Sequence, residues 1–315
     1  MTDLLRAIAL GSIVLRREAL AAGYTDRDIA AMVRSRQLVR VRRGAFAASE
    51  IWDAQDSSGR HALLARAVVR QSRTAVVLSH VSALPEFGAP TWGLSLDSVH
   101  LTRRDQRAGR KEAGVVQHHG RLIDGDVVSP RDVEVTSGTR LAIDITTVAT
   151  VESALCVVNH LLNEGLTDLH KIKARYASMA HDPFTLRTNL VLRLADPRIE
   201  SVGESRTWHF CWNQGLPAPE PQWVIWQDDR EFARLDFAWP EHKVWLEFDG
   251  RQKYVKYLRE GESITDAVLR EKRREERITE LTGWRCIRIT WADLADPVRL
   301  AARIRAILRL TASAA

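Results

Sequence analysis

The chain has 315 residues, 45% of them hydrophobic and 27% charged, enough for two or three modest domains with ordinary cores. The 46 Lys and Arg against 40 Asp and Glu give a formal net charge of +6, which favours polyanionic partners without requiring one. Cys156, Cys211 and Cys286 stand far apart with no C-x-x-C pair, which argues against a disulfide framework or a zinc ribbon and for a reducing, cytoplasmic setting.

No apolar run is long enough to span a membrane. Leu4 to Leu15 is broken by Arg6 and Gly11 and lacks a cleavage site, so it reads as a helix rather than a signal peptide. Residues 13 to 47 then have the rhythm of a winged helix-turn-helix. A short helix from about Arg16 to Ala22 stops at Gly23, where left-handed backbone can close the turn. Thr25 is a natural N-cap, with Asp26 and Asp28 in the first turn and Ile29, Met32 and Val33 on an apolar stripe. Leu38 to Phe46 alternates and turns at Gly44 as a wing. Arg34, Arg36, Arg40, Arg42 and Arg43 straddle the end of the second helix and this wing, with no acid among them. Such arginines suit bidentate contacts to phosphates or guanine edges of double-stranded DNA; a solvated basic face is the alternative.

Residues 61 to 195 read as an α+β module. It contains VVLSHVSALPEFG from 76 to 88, Ser98 to Thr102, and VTSGTRLAIDIT from 135 to 146. Ser79 and His80 have no indicated third partner and read as structural. His118 and His119 lack a second ligand pair at metal spacing. Asp144 is expected to cap a following helix. Residues 165 to 195 are helical in pattern, and Ala195-Asp196-Pro197 marks a boundary.

Beyond it lie eight of the ten tryptophans, expected to pack a separate aromatic core. Ser201-Val-Gly-Glu204 opens a helix as a capping box, with the glutamate reaching back to the Ser201 amide. The stretch FARLDFAWPEHKVWLEFDGRQK, from Phe232 to Lys253, reads as a hairpin turning at Pro240 to Lys243. Leu235, Phe237, Trp239, Val244, Leu246 and Phe248 form its core face. Arg234, Asp236, Ala238, Trp245, Glu247 and Asp249 form the other. If positions summing to 483 lie opposite each other, Asp236 faces Glu247 at about 5 Å and Arg234 faces Asp249.

Like charges across a ladder are destabilising, and a divalent cation, Mg²⁺ or Mn²⁺, would resolve the conflict. An edge hairpin with acids facing solvent, neutralised by Arg234 and Lys243, is the alternative. Arg251, Lys253, Lys256 and Arg259 follow at once, so cations for phosphate stand beside acids for metal. Ser263 and Asp266 then cap a charged helix that stops at Gly283. Trp284 to Thr290 is a strand with Ile287, Ile289 and Trp291 on one face, and Asp296-Pro297 opens the last helix.

Two family resemblances extend this reading. Residues 5 to 50, through G-Y-T-x-x-x-I and R-x-R-R-G-A-F, resemble the N-terminal winged helix of the abortive-infection type IV antitoxins. The pieces quoted from the middle module are similar to the same proteins. Glu204, L-D-F at 235 to 237, E-F-D-G at 247 to 250, Lys253 and the tail from 270 to 294 resemble the restriction-endonuclease-like superfamily, in its very-short-patch-repair branch. Together these imply an α/β multidomain protein: a winged helix-turn-helix over 1–60, an antitoxin-like α+β module over 61–195, and a restriction-endonuclease-like domain with a central mixed sheet over 196–315.

The second resemblance implies a metal-dependent DNA endonuclease. Glu204, Asp236, Glu247 and Asp249 would hold the metal, and Glu204, Asp236, Glu247 and Lys253 would carry the catalysis. The common superfamily pattern has lysine two residues after the second-strand acid, where this chain has Asp249; Lys253 would take over that task. The first resemblance implies an alternative, a transcriptional regulator with an inactive nuclease fold and a toxin partner or homodimer.

Overall fold

Local signals place the first elements. Thr25 accepts the Asp28 amide, and Asp28 returns a bond to the Thr25 amide, so a reciprocal cap starts the helix Asp26–Arg34. The computed structural model describes residues 13–105, 107, 109–179, 186–250 and 263–312. The chain is an α/β protein with three sheets among the described residues, divided into two units, Met1–Arg193 and Leu194–Ala315. The helix expected over Leu4 to Leu15 lies mostly outside the described residues, as do Arg251, Lys253, Lys256 and Arg259.

In the first unit, β1 (Val14–Leu15), β2 (Leu38–Arg42) and β3 (Ala45–Ala48) form an antiparallel sheet in the order β1-β3-β2. Val14, Leu38 and Phe46 pack with Ala19 and Ile29 of the helices Arg16–Ala21 and Asp26–Arg34. Ile13, Leu15, Ala45 and Ala47 pack with Leu63 and Ala67 of the helix Ser57–Gln71. A boundary at residue 60 therefore falls inside a helix that shares its core with the first sheet.

A register shift between Arg40 and Arg42 breaks the alternation of β2. Arg34, Arg36, Arg40 and Arg43 are exposed, whereas Arg42 is half-buried, and that burial lowers its pKa.

The second sheet has six strands: β4 (Val76–Leu78), β5 (Val99–Arg103), β6 (Arg110–Glu112), β7 (Val115–His118), β8 (Val127–Val128) and β9 (Val135–Thr136). Its order is β6-β7-β5-β4-β9-β8. Asp144 is not a helix cap. It lies inside the helix Gly138–Val148, whose N-cap position is Ser137, and pairs with Arg140 one turn earlier at 2.7 Å.

The second unit is built on β10 (Glu220–Gln227), β11 (Arg230–Trp239), β12 (Val244–Phe248) and β13 (Arg285–Ile289), in that order, with β12 and β13 parallel. One face packs Phe237, Trp239, Val244, Leu246 and Phe248 against the helices Val202–Asn213 and Pro297–Ala312. The other packs Ala233, Leu235, Ala238 and Trp245 against Ile278 of the helix Ile264–Thr282.

Two expectations are corrected here. Leu235 belongs to the cluster of Trp245 rather than that of Phe237. The change of face accompanies an interruption in the β10–β11 ladder opposite Asp236, where Gln222 has φ 54°. The tryptophans also do not all pack inside: Trp239 and Trp245 are buried, but Trp212, Trp226 and Trp291 are exposed.

Candidate functional site

The β11–β12 ladder pairs Phe237 with Leu246, Ala238 with Trp245 and Trp239 with Val244, all positions summing to 483. Continued by one residue, this register sets Asp236 across from Glu247. Asp236 replaces the next ladder contact with its side chain, its Oδ2 accepting the Phe248 amide at 2.8 Å. Both acids are buried, Asp236 at 9% and Glu247 at 4% exposure. Asp249 is half-buried, and its amide donates to Ile289 O on the β13 side at 2.8 Å.

Asp236, Glu247 and Asp249 line a cleft of about 280 Å³ together with Arg234, Phe248, Ala267, Arg270, Glu271, Arg274 and Arg288. Arg274 Nη1 donates to Glu271 at 2.9 Å and, at a longer 3.4 Å, to Glu247; its Nη2 donates to Arg234 O at 2.7 Å. Burial lowers the Arg274 pKa, but the Glu247 and Glu271 carboxylates outweigh it and leave the guanidinium firmly charged. Arg288, directly beside Glu247 in the parallel register, pairs with Glu275 at 2.7 Å and Glu271 at 3.7 Å. The expected ladder pair of Arg234 with Asp249 does not form; Arg234 reaches Glu200 at 3.7 Å.

Glu204 is not part of the wall of this cleft. It occupies the first turn of its helix, where Ser201 Oγ accepts the Glu204 amide at 3.1 Å. Its carboxylate does not take the Ser201 amide. It accepts instead from Glu200 N at 3.0 Å, Ser201 Oγ at 2.6 Å and Gln222 Nε2 at 2.9 Å. Burial raises the Glu204 pKa and the nearby Asp236 charge raises it further, so the two acids act on each other electrostatically. Gly203 permits this approach of helix to strand, since a Cβ there would lie 2.2 Å from the Phe248 ring.

The arrangement offers carboxylate oxygens from two neighbouring strands, with guanidinium groups on the opposite wall. Mg²⁺ keeps several waters and needs only one or two protein carboxylates, so Asp236 and Glu247 fit the donor set of a hydrated dication. Among the described residues, however, the group of three metal-ligating side chains with ligand atoms within 4.8 Å of one another is His80, His100 and His118, not the four acids. His118 thus has partners that its sequence neighbourhood did not reveal.

Arg270, Arg274, Arg288 and Gln222 were not singled out from sequence. Two signals pointed to three of them: Arg270 and Arg274 are four apart on the charged helix, and Arg288 alternates with the buried Ile287 and Ile289. Gln222 had none, because its role depends on a left-handed backbone.

No family model matches the chain. It is similar to two uncharacterized proteins of Mycobacterium tuberculosis, one from strain CDC 1551 / Oshkosh and one from strain ATCC 25618 / H37Rv. Each is 36% identical over 115 residues, covering 36% of this chain. The match spans 39% of the length of each relative. No helix among the described residues is long and apolar enough to cross a membrane.

Proposed function

We propose that the chain is a DNA-binding protein whose second unit is a metal-dependent endonuclease of the restriction-endonuclease-like type. In this reading Asp236 and Glu247 hold Mg²⁺ or Mn²⁺, Asp249 and Glu204 assist, and Lys253, outside the described residues, acts near the scissile phosphate. The bound cation would supply acidity to a water and offset charge on the phosphodiester. Arg270 and Arg274 would orient the phosphate, and the buried hydrogen bonds to Glu204 and Asp236 would hold the acids in place.

The observation that carries the reading is the register. Two buried carboxylates on adjoining strands open into a cleft whose other wall carries arginines, an arrangement costly to the fold and useful to phosphodiester chemistry. The helix Asp26–Arg34 and the β2–β3 hairpin with its exposed arginines would form a winged helix-turn-helix on double-stranded DNA, in a cytoplasmic setting. The test is incubation of the protein with duplex, mismatched and single-stranded DNA, with and without Mg²⁺ or Mn²⁺. Metal-dependent nicking or cleavage of one substrate is expected, and no cutting of any substrate with either metal refutes it.

A second reading is favoured by two features: Arg274 reaches Glu247, and no three of the four acids gather their ligand atoms within 4.8 Å of one another. The protein would then be an antitoxin-like regulator with an inactive nuclease fold, acting with a toxin partner or as a homodimer. Repression of its own promoter, unchanged by loss of Asp236, would support that reading.

A further inference from the structure

The first unit gathers three histidines from separate stretches of chain. His80 follows β4, His100 lies on β5 and His118 ends β7. The parallel register pairs Thr102 with His118 and His100 with Val116, so both strand histidines project from one face. His100 Nδ1 and His118 Nε2 are 2.9 Å apart, and the His80 ring stacks on His118 with centroids 3.6 Å apart. Each imidazole offers a ring nitrogen within 4.8 Å of the other two. In a tetrahedral zinc site two imidazole nitrogens lie roughly 3.3 Å apart, a spacing this trio approaches, and the stacked His80 and His118 rings would turn out of their parallel arrangement to aim their lone pairs at one ion.

We propose that His80, His100 and His118 form a binding site for a borderline divalent transition metal of the zinc class, separate from the acidic cleft and from its Mg²⁺ or Mn²⁺. Imidazole trios favour zinc, cobalt or nickel, whereas Mg²⁺ demands oxygen ligands. The surroundings have the form of outer support for metal-bound histidines. His80 Nδ1 is 2.9 Å from Ser79 Oγ, which also accepts the Thr102 hydroxyl at 2.8 Å. If Nδ1–H is donated to Ser79, Nε2 keeps the lone pair with which His80 would bind the ion.

His80 is also held at φ 51°, a left-handed backbone that a side-chain-bearing residue adopts at a cost. Two cations act on the trio, Lys111 on His100 and Arg140 on His80 and His118, and Arg140 is paired with Asp144 at 2.7 Å and Asp126 at 3.7 Å. His61 is not a ligand: one ring nitrogen bonds Leu96 O at 3.0 Å and the other bonds Ser82 Oγ at 2.8 Å. Water or an anion would complete the tetrahedron. The bound metal would tie β5, β7 and the segment after β4 together.

The experiment strips the full chain with a chelator, dialyses it against Zn²⁺ or Mg²⁺, and counts metal per chain. Wild type and Asp236→Asn are each expected to retain one zinc and to gain thermal stability from it. His100→Gln and His118→Gln should bind zinc roughly 100-fold more weakly or worse. X-ray absorption of zinc-loaded wild type, which needs no variant to fold, should count the three imidazoles of the trio. Wild type without stoichiometric zinc, fewer imidazoles on the metal, or full zinc retention by both histidine variants would each overturn the proposal. Because Asp236→Asn leaves this site intact, its outcome is independent of whether the cleft cuts DNA.

Discussion

Asp236 Oδ2 accepts the Phe248 amide at 2.8 Å, so a cleft carboxylate also closes the end of the β11–β12 ladder. Under the proposed function the acid has two duties, and substitutions separate them. Asp236→Asn keeps an acceptor oxygen for the amide, whereas Asp236→Ala leaves that N–H without it. Asp236→Ala should therefore be less stable than Asp236→Asn by about 1–3 kcal/mol. Urea denaturation of the two variants checks this, and equal midpoints would mean that the bond contributes little.

Gly203 faces the Phe248 ring so closely that a Cβ would sit 2.2 Å from Cδ1. Phe248 is buried and holds Trp291 edge-on at 4.7 Å, so the ring has little room to yield. Gly203→Ala should cost about 1–3 kcal/mol through overpacking. It should also displace Glu204, the next residue. A Tm matching wild type would show that the helix and strand separate freely.

Glu204 provides a pH test. Its folded pKa is raised above the unfolded value, first by burial and then by Asp236, so the folded state holds the proton more tightly. The sign follows: the acid imposes no penalty below its unfolded pKa, and stability is lost as pH rises through the folded pKa. Each tenfold difference in proton affinity is worth about 1.4 kcal/mol. Glu204→Gln should stabilise the metal-free protein more at pH 8 than at pH 5, with the Ser201 hydroxyl turning to accept from the new amide. Unfolding titrations at both pH values decide it; a gain that is the same at both would remove the charge from the account.

The exposed Arg40 and Arg43 should bind phosphates that the half-buried Arg42 reaches less well. Removing one arginine–phosphate pair from a complex with B-DNA should flatten the slope of log affinity against log salt by about 0.9. Arg40→Ser with Arg43→Ser should therefore lower the slope more than Arg42→Ser does. An unchanged slope in the double variant would take the hairpin out of the DNA interface.

What could be read in advance follows from how local each feature is. Thr25 and Ser263 announce helix starts because a cap needs only the next three residues, and both form reciprocal caps. The hairpin register was legible because apolar positions on both sides of one turn leave few alternatives, and the observed pairs match it. The place of Leu235 was not, because strict alternation does not foresee Gln222 at φ 54° and the interrupted ladder beside it. Glu204 followed the spacing of a cap, yet its oxygens found the Glu200 amide and the side chain of Gln222, a partner 18 residues away. The histidine trio left no trace in sequence, since the pairing of β4, β5 and β7 and the left-handed turn at His80 just after β4 are what bring positions 80, 100 and 118 together.

The central claim is that Asp236 serves metal-dependent cleavage rather than the fold alone, and Asp236→Asn addresses it most directly because the acceptor for Phe248 survives the change. The measurement is Mg²⁺-dependent cutting of the substrate that wild type cuts, alongside DNA affinity and unfolding midpoint for both proteins. The account predicts that Asp236→Asn folds and binds DNA nearly as wild type does while cutting is abolished. Cutting by Asp236→Asn at the wild-type rate would contradict it.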